Sequence, residues 1–299
     1  MLQFLSTIIS GLGLGSIYAL IAIGYTMVYG IAKMLNFAHG DVIMVGAYSI
    51  FVTVSSRSVI VLGLPVYIAV PLAVVFCAVL GIVIEFLAYR PLRGKQPLAV
   101  LITAIGVSYA LQSITLIIFG SNNQAFPKLF SIPSLKFADG GLVIKGTTIL
   151  TLCITAVLMI ALTLFINKTK MGKAMRAVSE DRGAAELMGI SVNKTISVTF
   201  AIGSALAAVA GMFYGMTYTY INPYTGSMPG IKAFVAAVFG GIGSLPGAML
   251  GGVIMGIIES LASTYISGSL ANAIVFAVLI IVLLVKPTGL LGKKIREKV

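Results

Sequence analysis

Residues 1–32 of this chain, MLQFLSTIISGLGLGSIYALIAIGYTMVYGIA, contain no charged side chain. Seven further stretches share this property: 42–56, 58–84, 96–127, 146–167, 195–231, 233–258 and 260–285. A helix of about 20 mostly apolar residues crosses the roughly 30 Å hydrocarbon core of a bilayer. Because lipid cannot satisfy backbone polar groups, such stretches must form helices or half-helices buried in protein. The sequence therefore predicts an all-α, polytopic membrane bundle of about eight to ten membrane segments, including half-helices or re-entrant pieces.

The composition excludes several other classes of protein. Of the 299 residues, 59% are hydrophobic and only 9% are charged, whereas a soluble domain carries about 25% charged residues. An ordinary soluble enzyme, a disordered protein and a secreted disulfide scaffold are therefore excluded. The two cysteines, Cys77 and Cys153, lie inside apolar stretches and are predicted to be buried free thiols.

Basic segments indicate which loops face the cytoplasm, because cytoplasmic loops of membrane proteins collect Lys and Arg. This rule explains the net charge of +12 without a nucleic-acid partner. The segment 167–194 holds six basic and three acidic residues, and the tail 286–299 holds five basic and one acidic residue. Both are predicted to be cytoplasmic, as is the basic loop 89–95, while the polar loop 121–146 is predicted to face the other side. An even number of membrane crossings must then separate 167–194 from the tail. Either four spans, or two spans with a re-entrant hairpin at 232–266, meet this requirement.

No nucleotide-binding or catalytic motif is visible. A phosphate-binding P-loop needs Gly-x-x-x-x-Gly-Lys followed by Ser or Thr. The pairs Gly172-Lys173 and Gly292-Lys293 lack that hydroxyl residue. One histidine and eight scattered carboxylates do not make a metal or catalytic centre, so we expect no enzymatic activity, cofactor or metal in this chain.

The segment 167–194 contains a short capped helix. Ser179 is predicted to cap a helix over 180–188, whose first turn holds carboxylates that suit the positive end of the helix dipole. A glycine at the C-cap ends it. Two interpretations are open, an ordinary surface helix lying on the bilayer and a docking helix for a cytoplasmic partner with two apolar anchors. In the docking interpretation, the residues that contact the partner are Glu180, Asp181, Ala184, Ala185, Leu187, Met188 and Gly189.

Polar residues at two helix breaks are candidates for a gate. Asn36, His39 and Asp41 follow the first apolar segment, which is itself predicted to be a short broken helix followed by a longer one. In one interpretation, Asn36 caps the next helix and the Asp41 carboxylate interacts favourably with the positive end of its dipole. In the other, Asn36, His39 and Asp41 line a polar path or gate. The pattern Asn36-x-x-x-Gly40 returns as Asn222-x-x-x-Gly226, and broken segments at corresponding positions point to a transport site.

Charged residues inside apolar stretches need partners, because a lone charge in the membrane is costly. Glu259 is predicted to pair with Lys232, the alternative being that each separately reaches the interface. Glu85 and Arg90 are predicted to form a snorkelling pair at the cytoplasmic end of their span. The predicted translocation path or gate therefore comprises Asn36, His39, Asp41, Asn222, Lys232 and Glu259.

Several long motifs place the chain near a known family. They are GSIYALIAIGYTMVYG (15–30), NFAHGD (36–41), YRPLR (89–93), MGKAMRA (171–177), Gly189-Ile190 and GGIGSLPGA (240–248). With these motifs the chain resembles, over nearly its whole length, the permease subunit of bacterial ABC importers for branched-chain amino acids, the LivH type.

The resemblance implies a single permease domain over 1–299 in the bacterial inner membrane, with a cytoplasmic C-terminus. It also implies four kinds of partner: a second homologous permease, two cytoplasmic ATP-binding subunits, a periplasmic or lipid-anchored amino-acid-binding protein, and membrane lipid. The helix at 180–188 then corresponds to the coupling helix that contacts an ATPase. Related permeases often show Glu-Ala-Ala-x-x-x-Gly there, whereas this chain has Gly183 in place of the Glu.

Three other functions remain open at this stage. An ion-coupled secondary transporter of small polar or amino-acid solutes would use His39, Asp41 and Glu259 as its relay. A permease of the same family for urea or short amides would keep the same fold and partners. The chain could also be a structural subunit of a membrane complex with no path of its own.

Overall fold

The long apolar stretches of the sequence form helices in the computed structural model, which describes residues 2–55, 62–137 and 142–292. Within these residues a π-helical turn, Glu85–Tyr89, and a 3-10 turn, Arg90–Leu92, continue the third helix. The predicted all-α class is confirmed. The α-helices are α1 (Leu2–Ala32), α2 (His39–Val54), α3 (Val66–Ile84), α4 (Pro97–Phe119), α5 (Gly146–Lys168), α6 (Lys170–Glu180), α7 (Arg182–Leu187), α8 (Val192–Tyr218), α9 (Ser227–Gly240), α10 (Leu245–Tyr265) and α11 (Ala271–Val285).

Among the described residues, six helices are long and apolar enough to cross a membrane: α1, α3 with its two following turns, α4, α5, α8 and α10. Three shorter apolar helices, α2, α9 and α11, have 16, 14 and 15 residues. At 1.5 Å per residue these reach only about 21–24 Å, less than the hydrocarbon core. In the described part of the chain, these long and short helices together agree with the predicted eight to ten segments.

The few strands are short and lie outside the helices. The strand β1 (Gln124–Ala125) pairs antiparallel with β4 (Tyr220–Ile221). The strand β2 (Leu135–Phe137) pairs antiparallel with β3 (Leu142–Ile144). Of the strands in the described residues, β1, β2 and β3 therefore lie in the polar loop between α4 and α5.

The chain divides into two compact units. Unit 1 comprises 1–26, 132–159 and 232–299, and unit 2 comprises 27–131 and 160–231. In unit 2, the half-helix α2 packs against α3, α4 and α8. A Cβ on Gly46 of α2 would lie 2.6 Å from the Cα of Ala208 in α8, so the two backbones touch directly. Small residues permit such an approach between membrane helices.

The helices α3, α4 and α5 carry exposed apolar side chains, among them Phe76, Ile117 and Val157. Side chains of this kind suit contact with lipid or with another membrane subunit. Cys77 on α3 is buried, as predicted. The prediction that Cys153 is buried is wrong, because this thiol lies on an exposed face of α5.

In unit 1, α1 packs closely against α10. A Cβ on Gly15 would lie 2.8 Å from the Cα of Val253, and one on Gly11 would lie 2.8 Å from the Cα of Ile257. The expected break in α1 near these glycines is therefore wrong. The helix continues from Leu2 to Ala32 because its glycines serve helix contact.

From Lys232 onward, the half-helix α9 belongs to unit 1, where it forms a hairpin with the helix α10. Ser244 caps α10, and its hydroxyl accepts a hydrogen bond from the Gly247 N–H at 3.2 Å. Beyond α11, the N–H of Leu290 donates to the carbonyl of Phe239 at 2.8 Å, and the N–H of Leu291 donates to that of Gly240 at 2.9 Å. These two bonds satisfy carbonyls at the end of α9 that have no partner within the helix. Of the predicted tail, 293–299 lies outside the described residues.

Candidate functional site

A buried polar cluster surrounds the carboxylate of Asp41, in the first turn of α2. Only 2% of this residue is exposed. Its Oδ1 accepts a hydrogen bond from Nε2 of Gln112 at 2.8 Å, and its Oδ2 accepts one from the hydroxyl of Ser108. The same Nε2 lies 3.3 Å from Oγ of Ser227, the first residue of α9. Neutral donors from α4 therefore satisfy both oxygens of a carboxylate that would otherwise be costly to bury.

The first turns of the two half-helices α2 and α9 lie side by side. A Cβ on Gly40 would lie 2.8 Å from the carbonyl oxygen of Gly226 and 3.2 Å from the Cα of Gly230. Only glycine allows this approach. The repeated Asn-x-x-x-Gly pattern of the sequence thus corresponds to a direct contact between its two copies.

Asn36 does not cap α2, contrary to the first of the two interpretations of this segment. The cap position is Ala38, which makes no side-chain cap hydrogen bond. Oδ1 of Asn36 instead accepts a hydrogen bond from the hydroxyl of Tyr89 at 2.8 Å, and both side chains are buried. His39 is the first residue of α2 and is also buried, and its backbone N–H donates to the Asn36 carbonyl at 3.2 Å.

Asn222 organises the turn that leads into α9. Its Oδ1 accepts a hydrogen bond from the Tyr224 N–H at 2.9 Å, and its backbone N–H donates to the Thr225 hydroxyl at 2.6 Å. Its Nδ2 donates to Oδ1 of Asn123 at 3.0 Å. This residue therefore fixes the entry to the half-helix from the side of the strand pair β1–β4.

The predicted pair of Lys232 and Glu259 is confirmed. Nζ of Lys232 on α9 lies 2.6 Å from Oε1 of Glu259 on α10. The hydroxyl of Tyr18 on α1 donates to Oε2 of Glu259 at 2.9 Å, and Nζ of Lys232 lies 5.9 Å from the centre of the Tyr18 ring. All three residues are buried, so the alternative that each charge separately reaches the interface is wrong.

A second charge cluster surrounds Glu85, in the π-helical turn. The predicted pair with Arg90 is present at 3.2 Å, but Glu85 does not snorkel, because it is 0% exposed. The guanidinium of Arg93 also contacts Glu85, and the hydroxyl of Ser197 on α8 donates to its Oε2 at 2.6 Å. Arg93 further contacts the side-chain oxygen of Asn193. Burial lowers the pKa of the Arg93 guanidinium from its ordinary value, and the Glu85 carboxylate opposes that shift.

The caps in the segment 167–194 differ from the prediction. Ser179 lies inside α6, where its hydroxyl donates to the carbonyl of Arg176 at 2.7 Å. Asp181 caps α7, and its Oδ1 accepts a hydrogen bond from the Ala184 N–H at 3.0 Å. The predicted helix over 180–188 is therefore shortened to α7, Arg182–Leu187, and Glu180 is the last residue of α6. A carboxylate at the cap also interacts favourably with the helix dipole, an advantage that the neutral Ser179 hydroxyl lacks.

The end of α7 presents two large apolar side chains. Leu187 is 90% exposed and Met188 is 82% exposed, while Ala185 on the opposite face is buried. Gly189 ends this region with φ +77°, as the sequence predicts. Arg182, at the start of α7, donates to the carbonyl of Ala32 at the end of α1. This short helix is thus anchored to the membrane helices at one end and exposed at the other.

Sequence analysis missed several of these partners. Ser108 and Gln112 are spaced four apart in a charge-free helix, which places them on one face and is a signal that could have identified them. Tyr18, Tyr89 and Arg93 carry no comparable signal. In the described parts of the chain, no three His, Cys, Asp or Glu side chains lie close enough together to hold a metal ion.

Comparison with known proteins agrees with this architecture. The family model described as branched-chain amino acid transport system, permease component, matches residues 7–283. The high-affinity branched-chain amino acid transport system permease protein BraD of Pseudomonas aeruginosa is 44% identical over 209 residues, 68% of each chain. The high-affinity branched-chain amino acid transport system permease protein LivH of Escherichia coli (strain K12) is 46% identical over 209 residues, again 68% of each chain.

Among solved structures, PsaBC from Streptococcus pneumoniae in complex with Fab aligns with 93% of this chain and 91% of its own, at 18% identity and a TM-score of 0.49. The long apolar helices define a multi-pass membrane protein. The chain belongs to the branched-chain amino acid transport permease family.

Proposed function

We propose that this chain is the membrane-spanning permease subunit of an ABC importer in a bacterial inner membrane, and that it translocates branched-chain or other apolar amino acids. The family match over residues 7–283 carries the proposal, since the similar proteins BraD and LivH are named as permease proteins of that transport system. ATP hydrolysis takes place on partner subunits. The whole of 1–299 acts as one permease domain.

The partners in this proposal are a second homologous permease, two cytoplasmic ATP-binding subunits and a periplasmic or lipid-anchored amino-acid-binding protein. The exposed apolar faces of α3, α4 and α5 suit lipid and a second permease. The basic segments 167–194 and 286–299 are cytoplasmic, in keeping with their excess of Lys and Arg.

In this proposal α7 is the docking helix for an ATP-binding subunit. Its exposed Leu187 and Met188 are large apolar side chains whose burial against a partner would be favourable. The cap of Asp181 and the contact of Arg182 with the end of α1 hold the helix in place against the membrane helices. The wider coupling surface comprises Glu180, Asp181, Ala184, Ala185, Leu187, Met188 and Gly189.

The substrate path passes near the starts of the half-helices. Within unit 2, Asn36, His39, Asp41 and Asn222 lie at or just before these starts, where the neutral side chains of Ser108 and Gln112 donate to the Asp41 carboxylate. Within unit 1, Lys232 and Glu259 connect α9 to α10. Movement of the half-helix starts at Gly40 and Gly226 would open or close the path.

Uptake of labelled leucine, in cells with and without this chain, tests the proposal. The membrane potential and proton gradient are collapsed while ATP is held constant. Uptake that requires the chain and survives the collapse supports an ABC permease, whereas uptake that disappears with the gradient supports an ion-coupled transporter. Competition by unlabelled isoleucine, urea and acetamide then separates an amino-acid permease from one for urea or short amides.

We expect Leu187→Asp to weaken docking of the ATP-binding subunit, because a carboxylate replaces an apolar side chain at the interface. Loss of one buried leucine side chain costs about 2 kcal/mol, which corresponds to a roughly 30-fold weaker interaction. Co-purification of the ATP-binding subunit and leucine uptake should fall together, while the amount of chain in the membrane stays normal.

The matched control is Leu187→Met, which keeps an apolar side chain of similar volume at the same position and should retain docking and uptake. Normal co-purification of the aspartate variant would contradict the docking role of α7.

A further inference from the structure

The π-helical turn Glu85–Tyr89 carries two fully buried polar side chains, one at each end. A π-helical turn inside an otherwise α-helical segment is rare and is frequently found at functional sites. Glu85 and Tyr89 contact different parts of unit 2, so this turn joins two regions that are far apart in sequence.

At one end, Glu85 is tied to the beginning of α8. Ser197 donates to its carboxylate at 2.6 Å, and Arg93, which contacts the same carboxylate, also contacts Asn193. The helix α8 begins at Val192, only a few residues after the exposed end of α7. A displacement of α7 therefore reaches Glu85 through the first two turns of α8.

At the other end, Tyr89 is tied to the segment that precedes α2. Its hydroxyl donates to Oδ1 of Asn36 at 2.8 Å, and the carbonyl of Asn36 accepts the N–H of His39, the first residue of α2. The following residue, Gly40, packs on the backbone of Gly226 at the start of α9. Displacement of Tyr89 therefore reaches the contact between the two half-helices.

The turn is π-helical in the structure, and its conversion to α geometry would change the direction of the side chains at its two ends. A π turn contains one residue more than an α turn, so conversion between them rotates the following residues by about 100°. After such a rotation Glu85 and Tyr89 cannot both keep their present partners. A buried ion pair adds little stability compared with apolar side chains of the same volume. We therefore attribute the charges around Glu85 to their role in fixing the conformation of the turn.

We propose that the turn Glu85–Tyr89 transmits the movement of the docking helix α7 to the half-helix contact at Gly40 and Gly226, with Glu85 and Tyr89 as positioning residues. This inference rests on the proposed function, because it takes α7 as the site that the ATP-binding subunit moves. The turn then determines how much transport each hydrolysed ATP produces.

The test uses the complete transporter in proteoliposomes and measures leucine transported per ATP hydrolysed. Tyr89→Phe removes one hydroxyl without a change of volume, and Glu85→Gln removes the charge. Each is expected to lower the ratio about five-fold or more, the effect of one lost buried hydrogen bond, while ATP hydrolysis and co-purification of the ATP-binding subunit stay within about two-fold of the wild type.

Tyr48→Phe is the matched control. The Tyr48 hydroxyl on α2 is buried and has no hydrogen-bond partner among the described residues, so its loss should leave the ratio unchanged. A purely structural role for Tyr89 would lower hydrolysis and transport in proportion. An unchanged ratio in the Tyr89 variant, with or without such a proportional loss, would overturn the inference. If Glu85→Gln fails to fold, Tyr89→Phe alone provides the test.

A second measurement separates this inference from the proposed function. Hydrogen exchange of the backbone over 34–42 is compared with and without ATP and vanadate, which needs no transported substrate. The wild type should show an ATP-dependent change that Tyr89→Phe abolishes. An unchanged response in that variant, or none in the wild type, would refute the transmission role, whereas a wild type that shows the response but transports no leucine would refute only the proposed substrate.

Discussion

Replacement of Glu259 by alanine is expected to destabilise the protein by about 3–5 kcal/mol, because it leaves the ammonium group of Lys232 buried without a counter-charge. Both residues are buried in unit 1, and Tyr18 shares the carboxylate. The cost arises from the charge that remains more than from the contact that is lost. This site therefore behaves differently from an exposed ion pair, whose loss typically costs less than about 1 kcal/mol.

Thermal unfolding can be followed through the reactivity of Cys77. The chain has no tryptophan and two cysteines, so Cys153→Ser leaves one thiol, which is fully buried in the folded state. A thiol-reactive dye then reports the temperature at which Cys77 becomes accessible. In this background Glu259→Ala should unfold at a clearly lower temperature than Glu186→Ala, which removes an exposed carboxylate from α7.

The double variant Lys232→Met and Glu259→Met provides the decisive comparison. It removes both charges and keeps apolar volume, and such replacements are often neutral or stabilising. We expect it to regain most of the stability that Glu259→Ala loses. If the double variant unfolds at the same temperature as Glu259→Ala, an uncompensated charge is not the cause.

Replacement of Gly256 by leucine is expected to prevent α1 and α10 from packing. A Cβ at this position would overlap the backbone N and Cα of Gly15. Overpacking of a tight contact costs about 1–3 kcal/mol and sometimes more, and the upper end applies here because a backbone cannot move aside as a side chain can. The unfolding temperature of the Cys77 assay should fall, and less folded protein should be recovered from the membrane.

The matched control for this prediction is Gly106→Ala. Gly106 lies in the middle of α4, and a Cβ there would meet nothing within 4 Å. Because alanine favours the helix by about 1 kcal/mol over glycine, this variant should be as stable as the wild type or more so. If Gly106→Ala and Gly256→Leu lower the unfolding temperature equally, close helix contact is not the reason that α10 has glycine at position 256.

The elements that the sequence predicted best are those required by a single strong physical rule. Long charge-free stretches must become helices in lipid, and a lone carboxylate in such a stretch must find a partner. The spans and the pair of Lys232 and Glu259 follow from these two rules. The contact of Gly40 with Gly226 was indicated by a repeated pattern, although the pattern could not show that its two copies touch.

The errors have equally definite causes. Cys153 was expected to be buried because a stretch that faces lipid is as apolar as one that faces a protein core. Ser179 was expected to cap a helix that Asp181 caps, since both residue types serve as caps and they lie two positions apart. The bond between Tyr89 and Asn36 joins residues with no periodic relation, so only the folded backbone could reveal it.

The two hydrogen bonds that close the end of α9 also set an order of events during synthesis. The ribosome makes Phe239 and Gly240 well before Leu290 and Leu291, whose N–H groups satisfy their carbonyls. At about 5–20 residues per second, roughly 3–10 s pass between them. Throughout that interval the end of α9 must stay hydrated or be held by the insertion machinery, because bare carbonyls are costly in lipid. The hairpin of α9 and α10 is thus completed only after α11 has been translated.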